Sequence, residues 1–107
     1  MPSSKLHQAT VVLHQESGRG YYRIVLKAPG IANQAKPGQF VMLRVSANRD
    51  PILARPFGIA SVKAKQSIEL YYRVVGRGTS LLATVGKGSV LSLLGPIGNG
   101  FPVPEKG

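Results

Sequence analysis

Apolar and polar side chains alternate with a period of two along much of this chain. In YYRIVLKAP (21–29), Tyr22, Ile24 and Leu26 share one face, and Tyr21, Arg23, Val25 and Lys27 share the other. In QFVMLRVS (39–46), Val41, Leu43 and Val45 oppose Phe40, Met42 and Arg44. In SIELYYRVV (67–75), Ile68, Leu70, Tyr72 and Val74 oppose Glu69, Tyr71, Arg73 and Val75. ATVVLHQES (9–17), RPFGIASVK (55–63) and GSVLSLLG (88–95) bring the predicted strands to six. Turn signals part them: SGRG at 17–20, KPGQ at 36–39, NRDP at 48–51, KAKQ at 63–66 and GKGS at 86–89. Six short strands at this spacing predict an all-β antiparallel barrel or sandwich, and a closed barrel would leave no exposed sheet edge.

One stretch breaks the two-residue rhythm. GTSLLATV (78–85) reads as a short helix, with Thr79 or Ser80 as N-cap and Leu81, Leu82 and Val85 as its apolar stripe. The last stretch, GPIGNGFPVPEKG (95–107), is rich in glycine and proline and reads as an irregular segment at a domain boundary.

Composition narrows the class. The 107 residues suit a single domain, and 43% hydrophobic content argues against disorder. Without cysteine, the chain has no disulfide, thiolate metal site or cysteine nucleophile of its own. MPSSKLHQAT carries no long apolar stretch of the signal-peptide kind, and no apolar run is long enough for a membrane-spanning helix. These features make a cytoplasmic protein with no membrane association the expectation. Fourteen Lys and Arg against four Asp and Glu give a formal charge of +10, which favours anionic partners. The basic residues are scattered, so most read as solvated surface charge.

Two short stretches could carry chemistry. In VVGRGTSLL, Gly76 and Gly78 allow close backbone approach, and the amides of Gly78, Thr79 and Ser80 would be free at a helix entry, where anions bind. The Thr79 hydroxyl would add a donor. A capped helix after a tight turn explains the same residues. The second stretch is Arg55–Pro56, set within an apolar run. Proline cannot donate to a sheet ladder, and a buried guanidinium needs a partner. If the strand at 55–62 lies beside that at 67–75, Arg55 could reach the helix entry and grip phosphate oxygens. Pro56 would then open an edge for a planar ligand, bordered by Phe57, Tyr71 and Tyr72. A rim arginine paired with Asp50 is the alternative. His7 and His14 have no ligand-spaced companion and read as solvated side chains rather than a metal site. No G-x-S-x-G elbow is present, and the carboxylates are too scattered to suggest a catalytic pair.

Taken in order, KPGQFVMLRV, ARPFGIASV, LYYRVVGRGT and GPIGNGFPV resemble the motifs of the flavin-binding domain of the ferredoxin–NADP reductase superfamily. Within it the likeness is greatest to the electron-transfer subunits of dihydroorotate dehydrogenase, and it runs from about Thr10 to Pro104. The resemblance implies a six-stranded antiparallel Greek-key barrel with one short capping helix, and FAD as the cofactor. It implies Arg55 at the pyrophosphate, with Gly78 and Thr79 beside it at the helix entry. Pro56, Phe57 and Gly58 would lie along the isoalloxazine, and Tyr71, Tyr72 and Arg73 along the flavin and ribityl chain. It implies electron transfer between a nicotinamide and a partner redox centre, in the dihydroorotate case within pyrimidine biosynthesis. No residue here is assigned a catalytic role.

Two departures qualify the resemblance. Gly58 stands where the family usually has a serine or threonine whose hydroxyl bonds near flavin N5. The family also continues into a nicotinamide-binding domain and, in the dihydroorotate subunit, a cysteine-held iron–sulfur cluster. Residues 1–107 are therefore expected to form one FAD-binding barrel, with 95–107 leading toward a nicotinamide-binding domain or redox partner. Alone, the chain is expected to be the inactive flavin half of an NAD(P)H-dependent oxidoreductase. The competing readings are a basic barrel binding RNA or single-stranded DNA through Tyr21, Tyr22, Tyr71 and Tyr72, and a module that only docks acidic partners.

Overall fold

The computed structural model describes residues 5–44 and 56–98. Six antiparallel strands close into a barrel: β1 (Lys5–Gly18), β2 (Tyr21–Lys27), β3 (Phe40–Arg44), β4 (Phe57–Lys63), β5 (Ser67–Arg73) and β6 (Val90–Ile97). Their order around the barrel is β1-β2-β5-β4-β3-β6. Two connections cross over the barrel, from β2 to β3 and from β5 to β6, which is the Greek-key arrangement. The predicted fold class and all six strands are found.

The alternation places the core as the pattern indicated. Ile24 and Leu26 of β2, Val41 and Leu43 of β3, and Ile68 and Leu70 of β5 are fully buried, joined by Ile59, Leu91 and Leu93. β1 is longer than its apolar pattern because it serves two neighbours. Its first part pairs with β6 from Lys5 to Thr10, its second with β2 from Thr10 to Gly18. A bulge between Val11 and Leu13 turns the strand from one neighbour to the other and breaks the alternation there.

Several local expectations are corrected. β4 starts at Phe57, so Pro56 stands at the strand entry, where its missing N–H removes no ladder bond. β6 runs on through Gly95 and Pro96 to Ile97, into what read as an irregular tail. Gly95 has φ +146°, and a Cβ there would stand 3.0 Å from the Phe40 carbonyl oxygen, so the close crossing of β6 and β3 needs glycine. Among the described residues two helices are present rather than one. The first, α1 (Pro29–Ala32), has Pro29 in its first turn and buries Ile31 and Ala32 in the core cluster. At four residues it is too short to show a helical period.

The second helix, α2 (Arg77–Leu82), ends before the predicted limit, and Ala83 to Val85 continue as a turn. Its N-cap is Gly76, not Thr79 or Ser80. Of the predicted stripe, Leu82 is buried and Val85 half-buried, whereas Leu81 faces solvent. Among the described residues no helix is long and apolar enough to cross a membrane.

Candidate functional site

In an antiparallel hairpin the entry of the first strand lies beside the exit of the second. The β4–β5 hairpin therefore brings Pro56, Phe57 and Gly58 next to Tyr71, Tyr72 and Arg73, while α2, which follows β5, adds Thr79. These seven residues line one cleft of about 160 Å³. Two further residues predicted for the site stand apart from this description. Gly78 lies within α2 beside Thr79, and Arg55 lies outside the described residues, as does its alternative partner Asp50.

The cleft has an apolar base and an open polar rim. Phe57 and Tyr72 are buried, their rings edge-on at 5.9 Å. Gly58 is exposed, and a Cβ built on it meets only the Phe40 ring, at 3.9 Å. Tyr71 and Arg73 point outward, as the alternation of β5 requires, and the Arg73 guanidinium lies over the Tyr21 ring at 5.6 Å.

Thr79 shapes the mouth of α2 from a nearly buried position. Its Oγ1 accepts from the amides of Val75 (2.8 Å) and Gly76 (3.1 Å) and donates to the Gly76 carbonyl (3.2 Å). The hydroxyl is thus committed to its own chain rather than offered as a free donor. The Ser80 amide, expected to be free, donates to the Gly76 carbonyl at 2.9 Å as the first helical bond.

Sequence reasoning missed His14. It is no solvated side chain: Nδ1 lies 2.7 Å from the Val85 carbonyl oxygen and Nε2 lies 2.8 Å from Tyr72 Oη. A carbonyl only accepts, so Nδ1 carries the proton; in that tautomer Nε2 is the nitrogen that accepts from the phenol. Burial, with Tyr22 nearby, pushes the Tyr72 phenol well above its usual range, so it remains a donor. Tyr22 and Tyr72 face each other across β2 and β5, their rings stacked at 5.4 Å and 15°. With Tyr72 buried under Tyr22, the four tyrosines do not form one open stacking surface for nucleotide bases. The only sequence signal for His14 is its place on a predicted strand.

Outside the cleft, Glu69 gathers three strands on the outer barrel surface. It pairs with Arg23 Nε of β2 and accepts from Ser61 Oγ of β4 at 2.7 Å, with Lys63 Nζ at 4.0 Å. The Arg23 hydrogen bond, then that of Ser61, holds the Glu69 carboxyl below the usual carboxylate range. A bulge between Ile59 and Ser61 shifts the register and sets Ser61 opposite Glu69. No cluster of His, Cys, Asp or Glu able to hold a metal is present among the described residues.

Comparison with known proteins bears on this cleft. No family model matches the chain. The dihydroorotate dehydrogenase B (NAD(+)) electron transfer subunit of Bacillus cereus strain G9842 is 38% identical over 96 residues, 89% of this chain and 37% of that protein. The subunit of Bacillus anthracis strain A0248 matches with the same figures. The chain thus spans little more than a third of the length of these relatives.

Among solved structures, the NADH-dependent reduced ferredoxin-NADP oxidoreductase superposes with a TM-score of 0.77 at 21% identity, over 95% of this chain and 36% of that one. The ferredoxin reductase in carbazole 1,9a-dioxygenase gives 0.74 at 22%, over 88% and 30%. The flavohemoglobin of Malassezia yamatoensis, solved with bound FAD and heme, gives 0.71 at 13%, over 88% and 25%. These structures share the fold. The resemblance read from the four motifs is borne out across nine-tenths of the chain.

Proposed function

We propose that this chain, a relative over 89% of its length of dihydroorotate dehydrogenase B electron transfer subunits, binds FAD in the cleft between β4, β5 and α2. It serves there as the flavin-binding part of a cytoplasmic electron-transfer oxidoreductase. The observation that carries this reading is the convergence of Pro56, Phe57, Gly58, Tyr71, Tyr72, Arg73 and Thr79 on one cleft. They come from three separate elements, and each was singled out for the same ligand by motif alone.

The residues fit a flavin by shape and chemistry. Bare backbone at Gly58, with Phe57 and Tyr72 beneath, offers a flat apolar seat, and the exposed Tyr71 ring offers a flank. Arg73 at the rim supplies positive charge, and Thr79 holds the turn before α2 in place. At about 160 Å³ the cleft is smaller than the roughly 300–1,000 Å³ of sites that enclose a whole ligand. It takes in one part of FAD, and the rest lies along the barrel surface. There Arg55 and Gly78 are assigned to the pyrophosphate on their motifs.

When bound, FAD supplies the exchange between two-electron and one-electron chemistry; the protein's part is to seat and shield it. The nicotinamide site and the acceptor are assigned to a further domain or a partner subunit. By the same reading the chain alone does not oxidise NAD(P)H, and a link to dihydroorotate oxidation stands with the relatives' names.

The test is FAD uptake. Purified protein should bind added FAD with a shifted visible spectrum. Arg55→Ala should weaken binding more than about tenfold, as loss of a charged hydrogen bond of ~1.5–3 kcal/mol requires. A folded protein that leaves the FAD spectrum unchanged at saturating concentration would refute the reading. Unaltered affinity in Arg55→Ala would remove that residue from the site.

A further inference from the structure

The cleft has two walls. One is the sheet, with Phe57, Gly58 and Tyr71 to Arg73; the other is α2, which contributes Thr79. A helix of six residues has no stability of its own, so its position depends on what ties it to the barrel. Its entry is tied by Thr79 to Val75 and Gly76, and its last residue, Leu82, is buried in the core. The chain just beyond it is tied by His14. That side chain comes from β1, 58 residues before Tyr72 and 71 before Val85, and bonds to both.

We propose that His14 is a positioning residue of the FAD cleft. Through one imidazole it links Tyr72 on the sheet wall to Val85 behind the helical wall, and so sets the gap between them. This rests on the flavin reading of the cleft.

The geometry gives each ring nitrogen one task. Nδ1–H donates to the Val85 carbonyl, and the Nε2 lone pair accepts the hydrogen bond of the Tyr72 hydroxyl. The imidazole also packs on Tyr22 and Tyr72, with centroids 5.5 and 5.9 Å away, so it cannot swing aside without breaking that packing. Tyr72 is consequently held from both sides, by the stacked Tyr22 ring and by a hydrogen bond at its tip. A ring so fixed gives FAD a seat that need not be ordered on binding, and pre-organisation of that kind raises affinity without a new contact.

The two bonds can be cut separately. His14→Asn can keep the Val85 bond from its amide but cannot reach Tyr72. His14→Gln can reach Tyr72 and rescues that bond in part. FAD titration should show His14→Asn and Tyr72→Phe each weakening binding about three- to tenfold, the loss expected for one hydrogen bond. The double variant should be no weaker than either single one, since both remove the same bond. His14→Gln should lie between His14→Asn and the unaltered protein. Imidazole ¹⁵N spectra of the FAD-free protein should show the Nδ1–H tautomer.

An Nε2–H tautomer would overturn the linkage. So would folded variants that bind FAD as the unaltered protein does, or losses that add in the double variant. Failure of the unaltered protein to bind FAD would overturn the flavin reading, and the positioning role with it. FAD binding that is normal in both the unaltered protein and the His14 variants would overturn the role alone.

Discussion

Replacing Thr79 by valine tests whether a single hydroxyl holds the helical wall of the cleft. Valine keeps the shape and the β-branch and puts a methyl in place of the hydroxyl. In the folded protein that oxygen accepts from two backbone amides, Val75 at 2.8 Å and Gly76 at 3.1 Å, and the side chain is only 5% exposed. An unsatisfied buried donor costs about 1–3 kcal/mol. Val75 and Gly76 are exposed residues, so water recovers part of that cost, and the added methyl recovers a little more. The expected net loss is ~2 kcal/mol, equivalent to a fall of roughly 8–15 °C in Tm for a domain of this size. Thr79→Ser keeps the oxygen and removes one methyl, a loss of about 0.8 kcal/mol. Urea unfolding followed by circular dichroism and extrapolated linearly would measure all three proteins. FAD titration at a temperature where all are folded should show Thr79→Val binding more weakly than Thr79→Ser. A valine variant within about 0.5 kcal/mol of the unaltered protein, or a serine variant as damaged as the valine one, would refute the role given to the hydroxyl.

Glu69→Gln should destabilise the protein in a pH-dependent way. The folded carboxyl is held below its ordinary value, so its contribution is fully present above the unfolded value of about 4.3 and is lost as pH falls through the folded one. The gap between the urea midpoints of the unaltered and Gln proteins should therefore be constant near neutrality and close in acid; a gap of equal size at every pH would show that ionisation of Glu69 is irrelevant. Gly58→Ser should fold with a stability change within about 0.5 kcal/mol, because the added Cβ makes only ordinary contact with Phe40 at 3.9 Å. With a nicotinamide-binding partner supplied, its bound flavin should be reduced faster by NADH than in the unaltered protein, and stopped-flow bleaching at equal rates would count against any part for Gly58 in the flavin chemistry.

Strands were the most legible part of the fold, and the reason lies in burial on one face only. Where a strand has one face in the core and one in water, as β2 and β5 do, alternation names both the strand and its inward residues: Ile24, Leu26, Ile68 and Leu70 are all fully buried. Exceptions arose on the outer face, where Val25 of β2 is buried opposite Glu69 of β5. Glu69 sits on the outer face yet is only 7% exposed, because Arg23 and Ser61 close over it. The bulges in β1 and β4 and the extension of β6 through Gly95 and Pro96 depend on which strand lies alongside, and neighbours across a closed barrel are not written in local periodicity. α1 escaped notice because one turn of helix has no period to read.

The cleft was legible for a different reason: it follows from the hairpin. Once β4 and β5 pair antiparallel, residues just after Pro56 must meet those just before Val74, whatever their chemistry. Register then decides which side chains face the cleft, because a slip by one residue would exchange Tyr71 and Tyr72 between the outer surface and the core. Two devices oppose such a slip. The turn at 63–66 places Ala64 and Lys65 at φ 54° and 58°, a primed turn whose twist suits a short hairpin even though neither residue is glycine. The bulge between Ile59 and Ser61 then brings Ser61 opposite Glu69, where its hydroxyl is bonded, and any other register would leave that carboxylate without this donor. Proline at the entry of β4 is compatible with both devices, since it ends the ladder where the cleft begins. His14 could not be read in the same way. Its partners, Tyr72 on β5 and Val85 beyond α2, lie 58 and 71 residues away along the chain, so no local pattern around residue 14 could name them.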